Sequence, residues 1–185
     1  MISKLVEATH VSLGGEIGAL DVWAHRYLDD EHARYAGALL DAADALLLGR
    51  RTYEGLSAAY PQMAESAAPE APSPFVGRMN AIPKFVASTT VRETSWNATV
   101  LRGDVAQAVA DLKHAGTNLL KYGTGPLDAA LMRHGLVDEF HLFLTPVAVG
   151  RGQHLFEDID WAPGLRLADV TRFASGVLVL VYLPG

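Results

Sequence analysis

The sequence predicts an α/β fold: a mostly parallel central sheet flanked by helices, with an antiparallel C-terminal hairpin at its edge. Three observations carry this reading. Strand-length apolar runs alternate with helical patterns through the middle of the chain. Ala45-Leu46-Leu47-Leu48 is apolar without a break, as a strand buried on both faces requires. Leu165–Ala174 and Val177–Leu183 flank Ser175-Gly176, which is a hairpin signal. At 185 residues the chain has room for one well-buried domain over residues 1–185 and little for a second.

Taken in order, Lys4 to Leu13 alternates polar and apolar residues and stops at Gly14-Gly15, a strand running into a glycine turn. Glu16 to Tyr27 has no legible period and carries Asp21 and Trp23 in its middle. Asp29-Asp30-Glu31 sets three acids where a helix starts, a placement the helix dipole favours. Ala33, Ala36, Leu40 and Ala43 follow at helical spacing, a small-residued face suited to close packing on a sheet. Beyond the strand at 45–48 come Gly49-Arg50-Arg51-Thr52 and a short helix over Tyr53–Ala59. From Pro61 to Pro83 the composition turns to Pro, Ala, Glu and Ser, and a long functional loop is expected.

Lys84–Ser88 reads as the next strand, ending in Ser-Thr-Thr, and Asn97–Leu101 as another. Asp104 and Gln107 have the spacing of a capping box. Val105, Ala108, Val109 and Leu112 then line one helical face, and Gly116 ends that helix. In Leu119–Leu127 a short strand enters Gly123-Thr124-Gly125, and Pro126 opens a helix with Gly125 as its cap. Leu127, Ala130 and Leu131 form the inner face of that helix and Gly135 closes it. Glu139–Val149 is a strand interrupted at Pro146, and Gly150-Arg151-Gly152 is a turn.

Composition narrows the chemistry. Half the residues are apolar, 19% are charged and the formal net charge is −6, with acids and bases interspersed. No basic stripe points to nucleic acid, and no apolar run reaches membrane-spanning length. Without a signal-peptide pattern, a cytoplasmic protein with a small-molecule partner is expected. There is no cysteine, so disulfides, thiolate catalysis and Cys-type zinc sites are excluded. No His-Glu-x-x-His, Gly-x-Ser-x-Gly or Gly-Lys-Ser/Thr motif occurs, so no metal, hydrolase or P-loop site is expected.

Ligands on parallel sheets bind beyond the C-terminal ends of the strands. Three such ends become candidates together: Gly49–Thr52, Ser88–Thr90 and Gly123–Gly125. Glycines let the backbone approach a ligand, and a helix N-terminus attracts anions, so the last is either a phosphate cradle or a plain strand-to-helix turn. Arg50 and Arg51 offer planar forks of donors suited to phosphate, and Thr52 a hydroxyl. Alternatively, both Arg side chains lie in solvent and Thr52 caps a helix. Ser88 and Thr89 could bond a ribose or simply end a strand. Asp21 and Asp29 are either helix-start acids or substrate ligands. Trp23 either closes over a substrate or fills the core.

These residues resemble the dihydrofolate reductase-like fold, and within it stand-alone relatives of the reductase domain of the bifunctional riboflavin-biosynthesis deaminase-reductase. The resemblance rests on Ala43–Glu54, Arg78-Met79-Asn80 with Pro83-Lys84, Trp96-Asn97, Leu101–Asp104, Tyr122–Gly125, Gly135–Glu139 and Pro146–Gly152, in family order. It implies an NADPH-dependent oxidoreductase, usually a homodimer, that passes hydride to a C=N or C=O carbon of a pterin-like, pyrimidine-like or other heterocycle. The same resemblance implies that Gly123, Thr124 and Gly125 hold the pyrophosphate, that Gly49, Arg50 and Thr52 contribute to phosphate binding, and that Ser88 and Thr89 stand at the adenosine ribose phosphate; Arg51 and Leu127, adjoining these, are further cofactor-binding candidates.

Two departures follow from it. Ser88-Thr89-Thr90 stands where the family has Ser-Arg-Thr, which removes the natural partner of a 2′-phosphate and admits NADH beside NADPH. Ser12-Leu13-Gly14-Gly15 stands where the family has Ser-Leu-Asp-Gly, so Gly14 takes the place of an acid beside the nicotinamide. With that acid gone, Asp21 and Asp29 are the candidate proton-handling residues with bound water as the alternative, Trp23 is the candidate substrate cover, and a non-catalytic nucleotide-binding homodimer is the rival reading.

Overall fold

The computed structural model describes residues 3–66 and 73–185. Among these, the strands are β1 (Leu5–Ser12), β2 (Ala45–Gly49), β3 (Lys84–Ala87), β4 (Ala98–Leu101), β5 (Leu119–Tyr122), β6 (Glu139–Thr145), β7 (Leu165–Arg172) and β8 (Leu178–Pro184). They form one sheet in the order β4-β3-β2-β5-β1-β6-β8-β7. The pairings from β4 through β6 are parallel, and those of β8 with β6 and of β7 with β8 are antiparallel. The expected parallel sheet with an antiparallel C-terminal edge is therefore the observed fold.

Six helices accompany the sheet among the described residues: α1 (Leu20–Trp23), α2 (Asp30–Ala42), α3 (Arg50–Ser66), α4 (Pro74–Ala81), α5 (Val105–His114) and α6 (Pro126–Arg133). Strand alternation sorts the core into two layers. Leu46, Leu48, Leu120 and Ala8 face one way and pack with Leu40 of α2, Tyr53 of α3 and Met79 of α4. Ala45, Leu47, Leu119 and Leu5 face the other way and pack with Val109 of α5 and Leu131 of α6. The unbroken apolar run of β2 follows from this, since both of its faces are covered.

The structure corrects several local expectations. The helix after β2 starts at Arg50 and runs to Ser66, through Pro61, instead of spanning Tyr53–Ala59. Proline in a helix interior removes a hydrogen bond and costs about 3 kcal/mol locally, which is why the sequence pattern breaks there. Tertiary contacts override it: the Tyr60 ring stacks on Trp96 at 6.0 Å, and Asn80 Nδ2 donates to the Tyr60 carbonyl at 3.1 Å. The expected long loop at 61–83 is mostly helix; its residues 67–72 lie outside the described residues. Pro74, counted as a loop former, is the first residue of α4, and Ser73 Oγ caps it by accepting from Val76 N.

Other faces are rotated or trimmed. Of the expected α2 face, Ala36, Leu40 and Ala43 are buried, and only Ala33 is exposed. Ala130 is exposed while Asp128 is buried, because Asp128 has an ionic partner beneath α6. Asp104 caps α5 as expected, accepting from Gln107 N at 3.1 Å, but the Gln107 side chain turns to Asp111 and leaves the box half-formed. β6 stops at Thr145, one residue before Pro146, and does not continue to Val149.

Candidate functional site

Parallel pairing brings the candidate strand ends side by side. β2 meets β5 at Leu47↔Lys121 and β3 at Gly49↔Ala87, and β5 meets β1 at Ala8↔Tyr122. On the α2–α4 face these ends open into a cavity of about 800 Å³. Its walls come from β1 (Ala8, His10), β5 with its turn (Tyr122, Gly123, Thr124), α3 (Arg51, Thr52), α2 (His32) and the start of α1 (Asp21). The size suits a drug-sized or dinucleotide-half ligand.

The glycine turn is held from beneath by residues whose pattern was not legible. Gly123 adopts φ +73, a conformation suited to glycine, and a Cβ there would lie in ordinary contact with Thr52 Oγ1 of α3 at 3.7 Å. Lys121, fully buried on the opposite face, donates to the Gly123 carbonyl and to Asp128 Oδ2, the latter at 2.9 Å. Asp128 in turn accepts from Gly125 N at 2.7 Å. The amide of the cap residue is therefore taken by the helix's own third residue. Glu7 Oε2 stands 3.7 Å from Lys121 Nζ, with no exposed surface. Burial first, then the Asp128 charge, pushes the Glu7 carboxyl well above its ordinary value, against the pull of Lys121.

Several polar atoms of the cavity lining are buried without a hydrogen-bond partner: His10 Nδ1, Tyr122 OH and Thr124 Oγ1. Buried polar groups are almost always paired, so orphans gathered around one cavity point to a ligand. Burial pushes the Tyr122 hydroxyl up, which keeps it a neutral donor. The backbone at the rim is strained as well, since Ala19 is left-handed at φ 52, ψ 46.

The remaining sequence candidates divide between the cavity and other places. Arg51 and Thr52 line the cavity, whereas Arg50 in the same helical turn is half-exposed and pairs with Glu54 at 3.5 Å. Gly49 ends β2 beside Ala87 and Gly125 caps α6, both outside the lining. Ser88 Oγ accepts from the Thr90 and Val91 amides at 3.2 and 3.0 Å, and Thr89 is exposed. Leu127 packs in the core of the α5–α6 face. Among the acids, Asp21 is exposed on the cavity wall. Asp29 caps α2 by accepting from His32 N at 2.9 Å, and that bond first of all holds its carboxyl below the ordinary value. Trp23 is buried outside the lining and donates from Nε1 to the Gly18 carbonyl at 2.7 Å, securing the 18–23 turn.

The Gly14 position also has a local cause. A Cβ there would stand 2.5 Å from Glu16 Oε2 and 2.7 Å from Oε1. Glu16 is buried and fixed by the Ser12 hydroxyl and by Gly150 N at 2.8 Å, so its carboxylate fills the space a side chain at 14 would need. The Ser12 bond first of all holds the Glu16 carboxyl below its ordinary value. The other missed feature is the His10–His32 pair, with Nε2 atoms 3.0 Å apart on the cavity wall. The two residues come from different elements, and no sequence spacing announces them.

Comparisons with known proteins agree with this architecture. The model of the RibD C-terminal domain family matches residues 4–179. The uncharacterized protein YyaP of Bacillus subtilis (strain 168) is 28% identical over 144 residues, which is 77% of this chain and 75% of that one. A protein of Shewanella sp. PV-4, provisionally described as belonging to riboflavin biosynthesis, superposes with a TM-score of 0.74 at 21% identity, covering 98% of this chain and 99% of its own. The deaminase/reductase of Thermotoga maritima gives 0.63 at 14% identity, with 99% of this chain matching 57% of that longer one. At these identities the structural likenesses speak to the fold alone. The family match covers nearly the whole sheet and every wall of the cavity, and the chain belongs to the RibD C-terminal domain family.

Proposed function

We propose that this protein is an NAD(P)H-dependent reductase that transfers hydride to a C=N or C=O carbon of a pterin-like, pyrimidine-like or other flat heterocycle. One observation carries the reading: orphaned polar atoms of Tyr122, Thr124 and His10 gather around a cavity at which the β2 and β5 ends meet. The Gly123–Gly125 turn and Thr52 fit a pyrophosphate, and Arg51 on the adjoining wall is the available guanidinium for phosphate. Bound nicotinamide supplies the hydride chemistry. The chain binds and orients the two rings and excludes water from a largely apolar chamber. A homodimer is part of the same proposal, by family likeness.

The first test is thermal. Binding at about 100 times Kd adds about 2.7 kcal/mol, which for a chain of this size is roughly 5–11 °C in Tm. NADPH and NADH are compared, with flavins as controls. Arg51→Ala is expected to weaken NADPH binding more than Arg50→Ala does. No shift from millimolar NADPH or NADH overturns the proposal. The second reading, a nucleotide-binding homodimer without turnover, is favoured by Gly14 standing where the family carries an acid. A sample that binds NADPH yet oxidises none of it with pterin or quinone acceptors supports that reading.

A further inference from the structure

Hydride addition to a C=N or C=O carbon leaves an electron pair on the heteroatom, which must take up a proton. Asp29 is committed to the α2 cap and Gly14 carries no acid. The cavity does hold a different pair. His10, on β1, stacks on Phe143 of β6 with ring centroids 4.8 Å apart, and His32, in the first turn of α2, closes on it at 4.9 Å. Their Nε2 atoms are 3.0 Å apart, so one ring donates and the other accepts. His10 Nδ1, at the far end of this line, is buried and has no partner. His32 is partly exposed and connects the line to solvent.

We propose that His10 and His32 form a two-imidazole proton relay that protonates the substrate heteroatom as hydride reaches the neighbouring carbon. This rests on the reductase reading above. In the working tautomer, His10 carries its proton on Nδ1 and accepts at Nε2 from His32. As the heteroatom takes the Nδ1 proton, His10 receives the Nε2 proton of His32, and His32 takes one from water at Nδ1. Each ring ends neutral, and one solvent proton is consumed per hydride. Water entering after product release restores the starting tautomers. Burial lowers both imidazoles, His10 to about 3, with His32 further lowering His10 and Asp29 opposing the shift at His32. Near neutral pH both rings are therefore uncharged, as a relay through a single shared hydrogen requires. Arg51 and Asp21 are the charged groups on the facing walls, and Tyr35 of α2 turns its hydroxyl away to His141 at 2.8 Å.

The test uses the full chain carrying 15N-histidine, with and without NADP+. A scalar coupling across the Nε2–H···Nε2 bond is expected, and His32→Phe is expected to slow exchange of the His10 ring proton with water about tenfold or more. His32→Gln gives the same slowing should the Phe variant fail to fold. Absence of the coupling, or unchanged exchange in the His32 variants, overturns the relay and leaves the reductase reading standing on its NADPH or NADH thermal shift. Absence of that shift in the unmodified protein overturns the reductase reading and removes the relay's role with it. With any pterin or quinone acceptor that turns over, His10→Phe is expected to keep NADP+ affinity, lose about 100-fold or more in hydride transfer, and lose the solvent deuterium isotope effect. An unchanged rate and isotope effect overturn the relay.

Discussion

Replacing Lys121 with Met removes the cation that, among the described residues, pairs with Glu7 and Asp128 beneath the glycine turn, and leaves a side chain of similar length. Lys121, Glu7 and Asp128 have side chains exposed by 3%, 0% and 2%. Deleting one partner of a buried ion pair strands the other and costs about 3–5 kcal/mol. At roughly 2–4 °C per kcal/mol for a chain of this size, Tm falls by about 6–20 °C. The loss should depend on pH. Glu7 already has a folded pKa raised above its unfolded value, so its contribution is full below about pH 4.3 and is lost as pH rises through the folded value. Without Lys121 that pKa rises further, so the deficit grows as pH rises past the folded value of the unmodified protein. Urea unfolding of both proteins across a series of pH values measures it. A loss under about 1 kcal/mol, or one independent of pH, refutes the assignment of Lys121 as the counter-ion that sets the turn.

Tyr122→Phe should leave the free protein as stable or slightly more so, because the hydroxyl is buried without a partner, while weakening NADPH binding. Urea unfolding and a nucleotide titration check the two halves, and equal affinity refutes a ligand role for that hydroxyl. Gly14→Ala should lower Tm, since its Cβ would meet the fixed Glu16 carboxylate at 2.5 Å. The penalty should nearly vanish in a Glu16→Ala background, and a penalty that persists there means the obstruction is something else.

How much of this was legible follows from how local each signal is. β2 could be read because burial on both faces writes an unbroken apolar run, and α6 because Pro126 and Gly125 mark its start. α3 reads as shorter than it is because Pro61 is a strong local breaker, while the contacts that override it, to Trp96 and Asn80, come from distant segments. The strand ends could be named from sequence, since topology places them together without detailed side-chain knowledge. Lys121, Glu7 and Asp128 escaped notice because a buried charge looks like a surface charge until its partners, arriving from β1 and α6, are seen. The same holds for His10 and His32, which are 22 positions apart and meet only because α2 lies across β1.

The strand order splits the lining of the cavity into two groups of residues. β2 and β5 bring the glycine turn with Thr52 and Arg51, whereas β1, β6 and α2 bring His10, Phe143 and His32. The halves share a single seam, the β5–β1 pairing, where Ala8 faces Tyr122 in register. Beneath that seam the Glu7–Lys121 contact ties the strands together from the opposite face of the sheet. Substitutions on the α2 side can therefore remodel what the chamber accepts while the glycine-turn side keeps its shape. The seam itself is where such freedom ends, because a change there reaches both walls at once.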